Sequence, residues 1–158
     1  RVAYQGTIAG TAPFYFQPIM ETSTMTGARS EGLGGQRTLR GINSNRVVGD
    51  GVAYANLELR WTAVRFNLLN QNFYIGLNGF FDTGRVLQKI EVDEDRLKET
   101  ADEPDQYFDF GAESFHSSVG LGLKIAMNRN FVVSVENGFA LDDQDGSSGL
   151  YISLNYLF

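Results

Sequence analysis

The sequence predicts an all-β fold and, more specifically, a transmembrane antiparallel β-barrel. Glycine is frequent, with 18 residues, aromatic side chains make up 13% of the chain, and there are only 3 prolines. This composition suits strands and tight turns better than a helical bundle. Two further observations support the prediction: six segments alternate polar with apolar residues, and the connections between them alternate between short and long.

The six segments cover about 2–10, 52–66, 73–86, 115–126, 131–141 and 150–158. Successive side chains of a strand point to opposite faces of its sheet. In the second segment, Leu57, Leu59 and Trp61 therefore share an apolar face, and Glu58 lies on the polar one. In the third segment, Asp82 also falls on the polar face. The alternation predicts that both acids face one polar interior.

The connections favour a barrel in a membrane over a water-soluble sandwich, which is the open alternative. Short turns follow the second and fourth segments, whereas the loops 11–50, 87–113 and 142–148 are long or polar. Outer-membrane barrels have short periplasmic turns and longer extracellular loops. We therefore expect a bacterial outer-membrane location, with the long loops extracellular and the C-terminus periplasmic.

Composition excludes several other classes of protein. The chain has no cysteine, so disulfides and thiolate metal sites are ruled out. A net charge of −6 argues against nucleic acid as a partner, because phosphate contacts need a basic surface. No stretch approaches the roughly eighteen apolar residues of a membrane helix. The negative mean hydropathy remains compatible with a barrel, in which only alternate residues face lipid.

The last predicted strand carries an alternating apolar stripe that ends in Leu154, Tyr156 and Phe158. This stripe resembles the sorting signal of bacterial outer-membrane proteins, in which the last strand is recognised by edge pairing during assembly. A sandwich that happens to end on an edge strand with a phenylalanine is the alternative.

The loop 11–50 contains three short motifs in a fixed order. They are Pro-Phe-Tyr-Phe at 13–16, Gly-Gly at 34–35 and Leu-Arg-Gly at 39–41. Together with the two acids on the next strands, they resemble the BamA/TamA (bacterial surface antigen) superfamily of outer-membrane assembly barrels. In that family the loop folds back into the barrel lumen, and its arginine docks against acids on the two following strands.

The resemblance implies a structural lock made of Arg40, Gly41, Glu58 and Asp82. A planar guanidinium can serve two carboxylates at once, and a buried carboxylate needs such a partner. Gly41 has its own physical reason, since backbone that approaches the barrel wall closely and takes a positive φ requires glycine. Ile42 departs from the family, which has an aromatic residue there. A solvated loop arginine is the alternative for Arg40.

The resemblance covers nearly all of this chain but only part of the family's barrel, so the chain is interpreted as the last six strands of a sixteen-stranded barrel. It implies a non-enzymatic factor that inserts outer-membrane proteins through a lateral seam at the last strand. The implied partners are outer-membrane lipids, nascent outer-membrane β-barrel proteins, periplasmic POTRA modules and accessory lipoproteins. A two-partner-secretion-type transporter and a structural or passenger-carrying barrel subunit are the alternatives.

Enzymatic chemistry is poorly supported by the sequence, and no cofactor or metal is expected. His116 is the only histidine, which excludes a multi-histidine metal site. No Gly-x-Ser-x-Gly, phosphate-loop or dinucleotide motif is present. Glu58 and Asp82 could resemble a glycosidase pair, but an arginine between them would keep both ionised.

Overall fold

A computed structural model describes residues 1–8, 10, 20–23, 28–30, 32–90, 113–128 and 131–156. This part of the chain is all-β. Its strands are β1 Val2–Gly6, β2 Met20–Ser23, β3 Ala28–Ser30, β4 Gly51–Leu68, β5 Gln71–Gln88, β6 His116–Met127, β7 Phe131–Ala140 and β8 Ser148–Tyr156. Within these ranges no helix is long and apolar enough to cross a membrane.

Six of the strands form one antiparallel sheet in the order β1-β4-β5-β6-β7-β8. The all-β, antiparallel part of the prediction is confirmed. Two details differ from it: β2 and β3 pair as a separate two-stranded sheet within the predicted loop 11–50, and β1 ends at Gly6. Just beyond Gly6, the Thr7 amide donates to the Asp50 carbonyl (3.3 Å), the next position in the β1–β4 register, and to Oε1 of Gln88 (3.1 Å).

The turn between β4 and β5 is a tight one that needs only Leu69 and Asn70. Both residues have positive φ, 53° and 57°, as the first and second positions of a type I′ hairpin turn require. β1, β5 and β7 end at the opposite end of the sheet, and each is separated from the next strand of the sheet by a longer stretch of sequence. Short and long connections are therefore sorted to the two ends.

The two faces of the sheet have the reverse of the usual polarity. On one face, called here the outer face, large apolar side chains are exposed, for example Leu57 at 73% and Leu121 at 72%. On the other, the inner face, Asn78, Asp82 and Glu136 are buried. A water-soluble sheet buries its apolar face and exposes its polar one. This sheet therefore has its hydrophobic surface on the outside.

A β-bulge keeps the outer face of β4 apolar along its whole length. The pairing of β4 with β5 shifts register between Thr62 and Val64. A bulge inserts one extra residue, so side chains of the opposite parity continue on the same face. The exposed apolar residues of β4 on either side of it are Leu57, Leu59 and Trp61, then Val64, Phe66 and Leu68.

The segment 32–50 lies over the inner face at the end of the sheet with the long connections. Leu33 and Val47 join it into a closed loop through paired backbone hydrogen bonds of 2.8 and 3.1 Å. Its apolar side chains pack against β4 and β5 in one buried cluster: Leu33, Leu39, Ile42, Val47, Val52, Tyr54 and Val86. This packing holds the loop tip, with Arg40, against the polar side chains of the sheet.

Candidate functional site

Arg40 is buried at the loop tip and is bonded most closely to Asp82 of β5. Its Nε donates to Asp82 Oδ2 at 2.8 Å and its Nη2 to Oδ1 at 2.9 Å. The backbone amide of Arg40 also donates to Oδ2, at 3.1 Å. Asp82 is fully buried, with 0% of its surface exposed. The pair thus has the two-pronged geometry in which arginine binds carboxylate most strongly.

The second carboxylate on Arg40 belongs to Glu136 of β7, which corrects the expectation that it would be Glu58. Nη1 of Arg40 donates to Glu136 Oε2 at 3.1 Å. Glu58 does lie on the inner face, but its oxygens accept from Lys124 and Arg60, each at 3.0 Å. The loop tip rests over β7, not over the middle of β4, and this position brings Glu136 to the guanidinium.

Lys124 and Asn78 connect Glu58 to Glu136, and through Glu136 indirectly to Arg40. Lys124 Nζ lies 3.0 Å from Glu58 Oε1 and 3.3 Å from Glu136 Oε1. Asn78 Nδ2 donates to the same two oxygens, at 2.8 and 3.2 Å. The result is a continuous row of alternating charges on the inner face: Arg60, Glu58, Lys124, Glu136, Arg40 and Asp82. The opposite charges balance, so the row has no net charge, and its Arg40–Asp82 end can be buried.

The ring of Phe80 and the charges of Asp82 and Glu136 also hold Arg40 in place. Its guanidinium carbon lies 3.5 Å from the centroid of the buried Phe80 ring, a cation–π contact. Phe80 thus supplies an aromatic ring at the site, where the resemblance implied one at the position of Ile42. Burial acts most strongly on the pKa of Arg40 and lowers it, but the hydrogen bonds and charges of Asp82 and Glu136 together raise it above its ordinary value. Arg40 is accordingly held as a cation.

Gly41 and Gly138 allow the loop backbone to touch β7 directly. Gly41 has a φ of 94°, in the region that favours glycine. A Cβ on Gly41 would lie 2.6 Å from the carbonyl carbon of Gly138, and one on Gly138 would lie 2.7 Å from that of Arg40. The Gly41 amide donates to the hydroxyl of Tyr151 on β8, at 2.8 Å. The dipeptide at 40–41 therefore contacts three strands of the sheet.

Sequence reasoning did not single out Glu136, Gly138 or Tyr151 as members of this site. Their signal was present, because all three fall on the polar faces of the last two predicted strands. Of the predicted terminal residues, Leu154 lies exposed on the outer face. Tyr156 ends β8 opposite Phe131, and Phe158 lies outside the described residues.

His116 lies apart from Arg40, in a cluster between the long connections. Its Nδ1 is 2.8 Å from the buried carboxylate of Asp145, and its Nε2 is 3.7 Å from Glu113. In the described ranges no group of three histidine, cysteine or acidic side chains is arranged to hold a metal. Both ring nitrogens of His116 thus face carboxylates. These contacts link the start of β6 to the connection between β7 and β8.

Comparison with protein-family models, with curated proteins and with solved structures found no match for this chain. The geometry of the sheet and of the lock therefore carries the functional argument.

The corrected acid can be tested with a matched pair of variants, Glu136→Gln and Glu58→Gln. We expect Glu136→Gln to weaken docking of the loop tip by about 1.5–3 kcal/mol, the usual value of a hydrogen bond to a charged group. Glu58→Gln should cost less than about 1 kcal/mol in the same measurement, because Glu58 does not bond Arg40 and its partners Arg60 and Lys124 are at least partly exposed. Amide exchange at Arg40 and Gly41 measures docking. Equal effects of the two variants would contradict the assignment.

Proposed function

We propose that this chain is part of the wall of a transmembrane β-barrel in a bacterial outer membrane. Its six-stranded sheet forms the last strands of a sixteen-stranded barrel of BamA/TamA type, and the whole protein inserts outer-membrane proteins without enzymatic chemistry. One observation carries the proposal: an exposed apolar face lies back to back with a buried charged face, and a long loop docks on the charged one.

The dimensions of the outer face support a lipid contact. From Leu57 to Leu68 the outward side chains of β4 are all uncharged. At about 3.3 Å per residue and a strand tilt of about 40°, this stretch rises roughly 28 Å along the membrane normal, close to the ~25 Å apolar band of outer-membrane barrels. A soluble monomer rarely exposes an apolar surface of this extent.

Aromatic side chains lie toward the end of the sheet with the tight turn. Trp61 is exposed on the outer face, and the rings of Phe66 and Phe73 stack with centroids 5.2 Å apart. Transmembrane barrels carry aromatic girdles where the apolar band meets the headgroups. This placement supports a periplasmic position for the β4–β5 turn and an extracellular one for the long connections.

The docked loop supports membership of the assembly barrels over an ordinary porin-like barrel. Arg40 fixes the loop to β5 and β7 from inside, so the wall stays rigid there. In the proposed mechanism β8 meets the first strand of the barrel at a weak lateral seam. A nascent barrel protein pairs with the opened edge through backbone hydrogen bonds, which accept many sequences. Membrane lipids, POTRA modules and accessory lipoproteins are the other proposed partners.

The proposal is tested on the full-length protein. We expect it to fractionate with the outer membrane and to migrate faster on a gel before heating than after. In lipid vesicles it should accelerate insertion of a urea-denatured outer-membrane barrel protein, with a smaller acceleration by Arg40→Ala. A soluble monomer in the absence of detergent would contradict the barrel. Export of a soluble protein without accelerated insertion would contradict the insertion activity and favour a secretion transporter.

A further inference from the structure

We infer that the loop tip 40–46 binds the terminal hairpin β7–β8. Tyr151 is the positioning residue that couples docking of this loop to the last strand. The inference deepens the proposed function, on which it rests, because β8 is the strand assigned to the seam. It concerns a contact beyond the ion pairs of Arg40, whose side chain bonds acids of β5 and β7.

Successive residues of the loop contact successive parts of the hairpin. Arg40 donates to Glu136 of β7 at 3.1 Å, and Gly41 donates to Tyr151 of β8 at 2.8 Å. Farther along the loop, the Asn43 amide donates to the Asp145 carbonyl at 2.9 Å, and Arg46 Nε to the Gln144 carbonyl at 3.0 Å. Both of these acceptors lie in the connection between β7 and β8. The tip therefore holds the two strands and the segment that joins them.

Among the described residues, Tyr151 is where β8 itself is bonded to the tip. It pairs with Glu136 across β7 and β8, so Arg40 and Gly41, adjacent in the loop, contact residues that are adjacent in the sheet. Gly41 is buried and pressed against Gly138. A buried amide without an acceptor is unfavourable, so loss of the tyrosine hydroxyl should weaken docking at this point.

The hydrogen bond from Gly41 to Tyr151 matters more for holding β8 in place than for holding β7. In the proposed barrel, β8 is bonded on one side to β7 and meets the first strand at the weak seam on the other. Strands with a single fixed neighbour open more readily than those paired on both sides. A loop that is docked and bonded to Tyr151 restrains β8, and a released loop frees it.

Tyr151→Phe removes the hydroxyl and keeps the ring. Amide exchange in the folded full-length protein is expected to rise about five- to tenfold at Gly41 and along β8, the effect of losing one hydrogen bond with a buried donor. Exchange in β4 and β5 should remain at the wild-type rate. Tyr74→Phe is the matched control, because Tyr74 also lies on the inner face but contacts Arg65 near the tight turn, with 5.7 Å from guanidinium carbon to ring centroid.

A double-variant measurement distinguishes coupling from general loosening. Arg40→Gln, which removes no contact to β8, should raise exchange along β8 in the wild-type background. In the Tyr151→Phe background the same substitution should add little, since the link is already broken. An equal added effect in both backgrounds, or a uniform rise across β4–β8, would overturn the inference. The readout needs no insertion assay, so the coupling can fail while the insertion activity stands, and the reverse.

Discussion

Replacing Arg40 with alanine is expected to release the loop from the inner face and to lower the free energy of unfolding by about 3–5 kcal/mol. The reason is the charge that remains behind. Asp82 is completely buried and receives three of its hydrogen bonds from Arg40, two of which come from the side chain. Glu136 keeps Lys124 at 3.3 Å, so Asp82 accounts for most of the loss. Equilibrium denaturation of the folded full-length protein measures it.

Arg37→Ala provides the control for this prediction. Arg37 belongs to the same loop and has the same side chain, but it is exposed, so its removal should change stability by no more than about 0.5 kcal/mol. Direct pairing is tested by adding Asp82→Asn to Arg40→Ala. If the two residues pair, the double variant should be clearly more stable than the sum of the single effects predicts. Additive losses would contradict the pairing.

Strand alternation was sufficient to place side chains on the correct face of the sheet. The pattern put Glu58 and Asp82 on the polar side, and both lie on the inner face. The bulge in β4 also left a readable trace, because the apolar residues change from odd to even numbers between Trp61 and Val64. Local periodicity carries this information, since the direction of a side chain depends only on its position along the strand.

Alternation could not decide which inner-face acid meets Arg40. That choice depends on where the loop tip lands, and the tip is positioned by contact between Gly41 and Gly138, which are far apart in the sequence. The resemblance favoured acids on the two strands directly after the loop and so led to Glu58. Glu136 was visible on the polar face of its strand, but its proximity to Arg40 is a property of the tertiary packing.

The outer face makes the second large prediction, which concerns Leu121 at the middle of β6. Leu121→Arg is expected to destabilise the membrane-embedded protein by about 2–4 kcal/mol, the cost of an arginine near the middle of the apolar band of a barrel. The side chain is already 72% exposed in the isolated chain, so the loss would come from the surrounding lipid and not from disrupted packing. Denaturation of the protein folded in lipid vesicles measures the difference.

Leu141→Arg is the matched control, because it is the same substitution at a site just beyond the end of β7. Leu141 is 60% exposed, and its position beside the long connections puts it near the extracellular interface of the proposed barrel. There the cost should fall to about 0–1 kcal/mol. In water both leucines would accept arginine equally well, because neither is buried by the protein. A small and equal effect of the two substitutions would therefore contradict the lipid-facing role of the outer face. A much larger loss for Leu121→Arg than for Leu141→Arg would be incompatible with a sheet that faces water on both sides.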